Sequence, residues 1–351
     1  MNMRGVTTKN DGYGAVDIVK LLLALLIVSA HYISENAAGR IHPVIDYASS
    51  IYVIVVPFFF ACSGFFLFRK MKDGNFSKII LWTYCKKLLI MYFGWSLVYV
   101  CFTMLTWMKY GTSRTDVLHY FLTCVTYSTY KTIWFLPATV VGAVLVFFFA
   151  QKVGVRWTAF LGCIFYILGC LGASYSFRIE GSKILECYNY IFFTTRNGIF
   201  NGFPFVLIGY MISMKDENSY SENVIRNLVL TCIFGMFFIA EALVIKKLGA
   251  VNVNTLIMLL PFTYFFLLWC LGIRMKTTRV TIWFRKMSTD IFLCQRIYLS
   301  ALPELFQKSL FEQLLRGNPY IGWFTMLALS IATSAVLIKI TERHSWLANF
   351  C

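Results

Sequence analysis

Charge, and acidic charge above all, is scarce in this sequence. Of its 351 residues 14% are charged, with 16 Asp and Glu against 32 Lys and Arg, and only seven residues are proline. No low-complexity stretch occurs, and no segment is polar enough to form a separate soluble domain. Hydrophobic residues instead make up 59% of the chain, and the mean hydropathy is +0.68. Because soluble domains of this size are far less apolar, we predict an integral membrane protein.

The sequence also lacks the patterns of a metal site or a nucleic-acid surface. Its eleven cysteines include no C-x-x-C pair and scatter through apolar runs, so we interpret them as small core residues and expect no metal. Cys124 and Cys187 fall outside the predicted spans, and whether they pair is left open. The net charge of +16 does not indicate nucleic acid as a partner, since the basic residues lie mostly in short loops where they set membrane topology.

Long continuous apolar runs predict an all-α fold, a polytopic membrane helix bundle of about ten transmembrane helices. Lipid requires every backbone N–H and C=O to be satisfied within a helix or a closed barrel, and runs without alternation exclude the barrel. Each run is near the ~20 residues that a bilayer requires. The predicted spans are 15–34, 47–68, 88–107, 133–151, 155–173, 196–214, 225–247, 252–274, 282–302 and 319–341.

An even number of spans puts both termini on the same side of the membrane. With both termini cytoplasmic, 19 of the 32 Lys and Arg fall in cytoplasmic segments and 11 in outer segments, in agreement with the positive-inside rule. The first span is not a cleaved signal peptide, because it is too long, carries Lys20 and His31, and ends without an A-x-A-like site. We therefore expect a single multi-pass membrane domain over 1–351, with cytoplasmic tails at 1–14 and 342–351.

Two ionisable residues share one stripe of the first span. Lys20 and His31 are eleven residues apart, which places them on the same helix face and about 16 Å apart along the axis. A charge within the hydrocarbon costs about 2.5 kcal/mol or more, so we interpret His31 as a candidate general base and Lys20 as an anion contact. The alternatives are a histidine hydrogen-bonded between helices and a lysine that snorkels to the inner surface. Asp17, three residues before Lys20, can pair with it.

Further polar residues interrupt the later spans. Ser63 and the glycine after it break an aromatic run, for which helix packing is the favoured interpretation. Arg196 and Asn197 open the segment RNGIFNGFP, which predicts an interrupted helix that lines a cavity. Arg296 near mid-membrane is expected to face the bundle interior or a wet cavity. Trp134 opens the fourth span, where a position in the interfacial aromatic belt is the simplest interpretation.

Three motifs, in the same order, resemble the acyltransferase-3 family of integral membrane acyltransferases. Asp17, Lys20 and His31 form a D-x-x-K-x10-H pattern that is similar to the D-x-x-R-x10-H of that family. The second span contains PFFFACSGFFL, which resembles the family's F-F-x-L-S-G-F, and IWFLPA carries its W-F-L element from Trp134. The resemblance covers nearly the whole chain, and the layout of ten spans agrees with it.

This resemblance implies acyl transfer from a cytoplasmic acyl-CoA, with acetyl-CoA as the expected donor, to a hydroxyl of a cell-surface glycan or related acceptor. It implies that His31 is the catalytic base, that Lys20 helps to bind the donor or keeps the site charged, and that no cofactor is tightly bound. The implied location is a bacterial plasma membrane, with lipids and the acceptor as partners and the oligomeric state left open. The candidate donor-binding or substrate-binding residues are Ser63, Lys86, Lys87, Trp134, Arg196, Asn197 and Arg296.

The sequence departs from the family pattern in places. Lys20 stands where the family has arginine, which keeps the charge but loses bidentate geometry. In the ninth span, Gln295 and Arg296 stand where many members carry a histidine. These departures also resemble the membrane half of VanT-type serine/alanine racemases, which is linked to amino-acid handling. Transport of a small polar solute such as L-serine is therefore an alternative function, and a silent membrane anchor is a third. We expect no pyridoxal-phosphate racemase domain within these residues.

Overall fold

The computed structural model describes residues 12–42, 45, 50–71, 76–130, 132–179 and 181–344. Most of both predicted tails, 1–14 and 342–351, lies outside these residues. Within them, the fold is helical apart from one isolated bridge between Tyr13 and Met275. The α-helices are α1 (Gly14–Tyr32), α2 (Val55–Arg69), α3 (Lys78–Tyr110), α4 (Arg114–Thr126), α5 (Phe135–Leu171), α6 (Lys183–Phe192), α7 (Phe203–Ser213), α8 (Glu217–Glu222), α9 (Val224–Lys247), α10 (Leu259–Gly272), α11 (Arg279–Arg296), α12 (Leu302–Leu305), α13 (Leu310–Arg316) and α14 (Pro319–Arg343).

Within the described part of the chain, six helical segments are long and apolar enough to cross a bilayer. They are Gly14–Ala37, Ile51–Arg69, Lys78–Tyr110, Phe135–Leu171, Val224–Lys247 and Pro319–Arg343. Two shorter apolar segments, Gly198–Ser213 and Leu259–Gly272, accompany them. The predicted all-α membrane helix bundle is therefore confirmed. The count of ten spans and the cytoplasmic position of the termini remain predictions.

The long helix α5 contains two of the predicted spans. Its 37 residues are interrupted at Gly154, whose backbone has φ 78° and ψ 167°. A side chain is strongly disfavoured at such a positive φ, so glycine permits this break at little steric cost. The break falls between the predicted spans 133–151 and 155–173, so one run of helix residues contains two apolar segments.

The central packing of the bundle depends on a close crossing of α2 and α7. A Cβ atom on Gly64 would overlap the backbone carbonyl of Val206, and one on Gly209 would overlap the carbonyl of Ala61. Small residues at such crossings let helix backbones approach, which is a main source of packing energy in lipid. The glycine that follows Ser63 therefore has the packing role that its sequence suggested.

Helix α1 lies between two apolar cores. The larger core is built mainly from α2, α5, α7 and α10, and the smaller core from α1, α11 and α14. Leu23 and Ile27 of α1 pack into the first, whereas Ala24 and Val28 pack into the second. The two faces of one helix thus join both parts of the bundle.

Glu241, one of the acidic residues within the apolar helices, has a structural role. Glu241, in α9, accepts hydrogen bonds from the backbone N–H groups of Ile257 (2.6 Å) and Met258 (2.8 Å), just ahead of α10. These N–H groups at the start of α10 have no acceptor within the helix itself, and Glu241 supplies one.

Cys124 and Cys187, whose pairing the sequence left open, are both free thiols.

Candidate active site

A cavity of about 260 Å³ lies at the C-terminal end of α1. It is bounded by α1, by the turn before α2 and the first turn of α2, by the residues just before α5, and by the C-terminal end of α11. Its lining residues are Ile27, His31, Tyr52, Val56, Tyr127, Thr132, Trp134, Arg196, Phe292 and Arg296. Four of the residues singled out in the sequence, from four separate parts of the chain, therefore meet in one cavity.

Each cationic or imidazole residue of the cavity is followed within two residues by a π-helical segment. These segments are Ile33–Ala37, Gly198–Gly202 and Ile297–Ala301. A π-helical turn widens the helix and changes the direction of the side chains around it, and such turns are frequent at functional sites. The three π-helical segments of the described residues thus all begin beside this cavity.

Arg296 is the most buried charged residue of the cavity, with 4% of its surface exposed. Its Nη2 lies 3.1 Å from Nδ1 of His31, and its Nη1 forms an ion pair with Glu35. The π-helical segment after α1 carries Glu35, so both partners of this arginine come from one continuous stretch of helix. A buried guanidinium is stable only when its charge is matched, and Glu35 supplies the match.

Arg196 is held differently. Its guanidinium lies 5.4 Å from the centre of the Trp134 ring, and that ring stacks on Tyr127 at 5.9 Å with an interplanar angle of 19°. A cation over an aromatic face is stabilised by the ring quadrupole. The described residues that line the cavity include no Asp or Glu. The cavity is therefore electropositive and partly aromatic, which suits a small polar ligand with anionic oxygen.

The predicted interruption around RNGIFNGFP is present, and Asn197 has a capping role in it. The side chain of Asn197 accepts hydrogen bonds from the N–H groups of Ile199 (3.0 Å) and Phe200 (3.2 Å), and its amide donates to Tyr188 at 2.6 Å. It thereby starts the helix that follows and positions Arg196 beside the cavity. Asn197 itself is not among the lining residues.

The N-terminal end of α1 departs from expectation. The expected pairing of Asp17 with Lys20 is not a direct ion pair: the two oxygens of Asp17 accept from Nε and Nη2 of Arg285, at 2.7 and 2.8 Å. Arg285 lies on α11, and its planar fork matches a carboxylate in two hydrogen bonds, which a lysine on the same helix cannot do. The ammonium of Lys20 lies 5.2 Å from the centre of the Phe59 ring.

An aromatic layer lies between Lys20 and the cavity. Phe59, whose ring faces Lys20, lies 5.9 Å from Phe292, and Phe292 in turn lies 4.7 Å from Phe135. Phe292 also lines the cavity. These three rings thus lie between the ammonium of Lys20 and the cavity that His31 lines.

Three of the residues that the sequence offered as donor-binding or substrate-binding candidates lie away from this cavity. Lys86 and Lys87 are exposed on the first turns of α3, and Ser63 lies next to Tyr84 in the packed region between α2 and α3. The sequence interpretation in turn missed Glu35. Its position four residues after His31, on the same helix face, is a signal that would have found it.

Comparison with known proteins adds an independent observation. A family model described as an acyltransferase domain matches residues 13–339. The chain is also 30% identical over 274 residues to an amino-acid racemase of Enterococcus faecalis, which covers 75% of this chain and 36% of that protein. It is 22% identical over 352 residues to a serine/alanine racemase of Enterococcus gallinarum, covering 96% of this chain and 47% of the relative.

The chain spans less than half the length of these curated relatives. A second amino-acid racemase of Enterococcus faecalis is 24% identical over 256 residues, with 35% of its own length covered. No solved structure matches the chain.

Proposed function

We propose that this chain, which belongs to the acyltransferase-3 family, is an integral membrane O-acyltransferase that moves an acyl group from acyl-CoA to a hydroxyl on a cell-surface glycan or related acceptor. The observation that carries the proposal is the cavity at the end of α1, where His31 lies against the guanidinium of Arg296. An imidazole is suited to proton transfer near neutral pH, and a fixed cation is suited to stabilise a developing negative charge.

In this proposal, His31 takes the proton of the acceptor hydroxyl as its oxygen attacks the thioester carbonyl carbon. The carbonyl oxygen becomes an oxyanion in the tetrahedral intermediate, and Arg296 is the donor placed to stabilise it. The C–S bond then breaks, the acyl group stays on the acceptor, and the thiolate of coenzyme A leaves with the proton from His31.

The donor is proposed to arrive from the side of Lys20. This ammonium lies on the far side of the aromatic layer from His31, where a point charge can contact an anionic part of the donor. The exposed Lys86 and Lys87 offer further positive charge for the phosphates of coenzyme A. In the predicted topology, with both termini cytoplasmic, this end of α1 would face the compartment that supplies acyl-CoA.

The test is binding and cleavage of acetyl-CoA by the full chain, purified in detergent. Wild type is compared with His31→Ala, and His119→Ala serves as the matched control because His119 is exposed on α4 and packs against Phe193 outside the cavity. We expect thioester cleavage that the His31 substitution abolishes and the His119 substitution leaves intact. Cleavage that survives His31→Ala would remove His31 from the base role.

A second candidate function has a specific observation in its favour. The cavity is small and lined by Arg196 and Arg296 without an acidic residue among its described lining, which suits the carboxylate of an amino acid. Relatives named as amino-acid racemases point to the same class of solute. If no acyl-CoA binds, uptake of radiolabelled L-serine into proteoliposomes tests this function, with Arg196→Gln as the variant expected to abolish uptake.

A further inference from the structure

We propose that Glu35 and Arg296 act as a positioning pair that fixes the proton of His31 on Nε2, so that His31 becomes a base only when Arg296 leaves it for the substrate oxyanion. This inference rests on the acyl transfer proposed above and deepens it, because it assigns a role to each partner of the histidine. Its test includes a measurement that needs no turnover.

The contact between Arg296 and His31 has a defined direction. A guanidinium carries only N–H donors and stays protonated in proteins, so the hydrogen bond of 3.1 Å requires that Nδ1 of His31 accepts. In a neutral imidazole one ring nitrogen accepts and the other carries the proton. The proton of neutral His31 therefore resides on Nε2 in the arrangement that the structure describes.

Glu35 holds Arg296 in this position. Its carboxylate forms the ion pair with Nη1, while Nη2 of the same guanidinium contacts His31. Both acceptors are presented by α1 and its π-helical continuation, Ile33–Ala37, which places Glu35 one turn beyond His31. The arginine is 4% exposed, whereas the Glu35 side chain is 35% exposed, so water reaches the carboxylate side of this pair. Glu35 thus orients the buried Arg296 as a donor to the histidine.

This arrangement opposes proton uptake at Nδ1. Once Nδ1 takes a proton it can no longer accept a hydrogen bond, and an imidazolium and a guanidinium in contact repel each other. Protonation of His31 during catalysis therefore requires that Arg296 and Nδ1 separate. The thioester oxyanion forms at the same moment and offers the guanidinium a negative partner.

One donor of the guanidinium has no partner in this arrangement. Nε of Arg296 is buried and has no hydrogen-bond partner among the described residues, although Arg296 lines the cavity. A buried donor without a partner needs an explanation, and a ligand that draws Arg296 towards the cavity would supply one. In the step that we propose, the acceptor proton moves to Nδ1 of His31, its oxygen bonds to the carbonyl carbon, and Arg296 binds the oxyanion. When the C–S bond breaks, the thiolate takes the proton and Arg296 returns to Nδ1.

The direct test is the tautomer of His31, read from the ring nitrogen chemical shifts of the full chain labelled at histidine and purified in detergent. The chain has four histidines, and His31 is assigned by its loss in His31→Gln. We expect the Nε2–H tautomer in wild type and a mixture of tautomers in Arg296→Met, which removes the donor but keeps an apolar side chain of similar length. Arg316→Met is the matched control, because Arg316 pairs with Glu312 at 2.9 Å outside the cavity.

Kinetics provide the second readout. Arg296→Met is expected to lower kcat for acyl transfer by at least tenfold with KM for acyl-CoA nearly unchanged, and Arg296→Lys is expected to recover part of kcat because it retains a cationic donor. A purely structural role would change neither the tautomer nor the ratio of the two constants in this way.

If Arg296→Met does not fold, Glu35→Gln replaces it and is expected to shift the tautomer in the same direction by a smaller amount. An Nδ1–H tautomer in wild type, or a tautomer that neither substitution changes, would overturn the inference. An Nε2–H tautomer in a wild-type protein that cleaves no thioester would instead contradict acyl transfer and leave the positioning pair in place.

Discussion

The two ends of α1 hold their charges in opposite ways. At the N-terminal end, Asp17 is fully buried and both of its oxygens are engaged by Arg285. At the C-terminal end, Arg296 is equally buried but retains an Nε atom without a described partner, and it lies on a cavity. Buried charge of the first kind is a closed structural link between two helices. In the acyl transfer proposed above, buried charge of the second kind takes the substrate oxyanion as a further partner.

This difference separates structural from functional charge within one helix. Every ionisable residue in an apolar segment is a candidate functional residue, because a charge within the hydrocarbon is costly in free energy. Their hydrogen bonds separate the two kinds of residue. Asp17 is bonded to Arg285 and joins α1 to α11, whereas His31 and Arg296 line the cavity. Lys20 lies between these cases, because a ring of Phe59 is its described contact.

The largest effect is expected from His31→Ala. We expect acyl transfer to fall by about 100-fold or more, since general base catalysis contributes about 10²- to 10⁴-fold. The melting temperature in detergent is expected to change little, because His31 is half-buried at a cavity rather than packed in a core. Turnover of acetyl-CoA and thermal unfolding of the same preparation measure both quantities.

His119→Ala is the control for this prediction. A loss of activity in both variants, or a large loss of stability in His31→Ala, would mean that the cavity end of α1 is structural like the other end. The contrast between the two ends would then not hold.

Asp17→Asn is expected to affect stability instead. We expect the free energy of unfolding to fall by about 1–3 kcal/mol, because the amide cannot accept two charge-assisted hydrogen bonds from Arg285. This loss of unfolding free energy is smaller than for a fully buried ion pair, because the Arg285 side chain is 44% exposed and water can solvate it. Acyl transfer per folded molecule is expected to stay near that of wild type.

A matched control lies one residue further along α11. Lys286 pairs with Glu342 at 3.0 Å, and both side chains are exposed, so Glu342→Gln is expected to cost less than about 1 kcal/mol. Equal losses in Asp17→Asn and Glu342→Gln would show that burial of Asp17 contributes nothing to the link between α1 and α11.

Patterns along the chain were sufficient to predict the parts of the fold that depend on local chemistry. Long apolar runs predicted the helices, and the break at Gly154 falls between two predicted spans because both signals are local. The interruption at RNGIFNGFP was predictable for the same reason, since asparagine caps and glycine permits close approach. The cavity was predicted only in part: His31, Arg196 and Arg296 were recognised as separate suspects, without their mutual contact.

Partners that are distant in sequence were not predictable from one chain. The spacing rule for helices compares residues three or four apart, so it offered Lys20 as the partner of Asp17 and had no means to consider Arg285, 268 residues away. The choice follows from the packing of α1 against α11 and from guanidinium geometry, which appear only in three dimensions. Glu35 was missed because acidic residues at the end of a span are common, and only its spacing of four residues from His31 indicates a shared helix face.

The smallest effect is expected at Lys20, which forms no direct ion pair with a described residue and does not line the cavity. Lys20→Leu is expected to raise KM for acyl-CoA about tenfold, equivalent to about 1.4 kcal/mol of lost donor binding, while kcat stays near wild type. Lys20→Arg keeps the cation and its contact with Phe59, so we expect KM within about twofold of wild type.

Steady-state kinetics with varied acyl-CoA separate the two constants, kcat and KM. Equal KM values in the two variants would remove Lys20 from donor binding, and a loss of kcat in Lys20→Leu would assign it to the chamber on the other side of the aromatic layer. Because one helix carries both residues, the comparison with His31→Ala then tells whether donor binding and proton transfer are separate along α1.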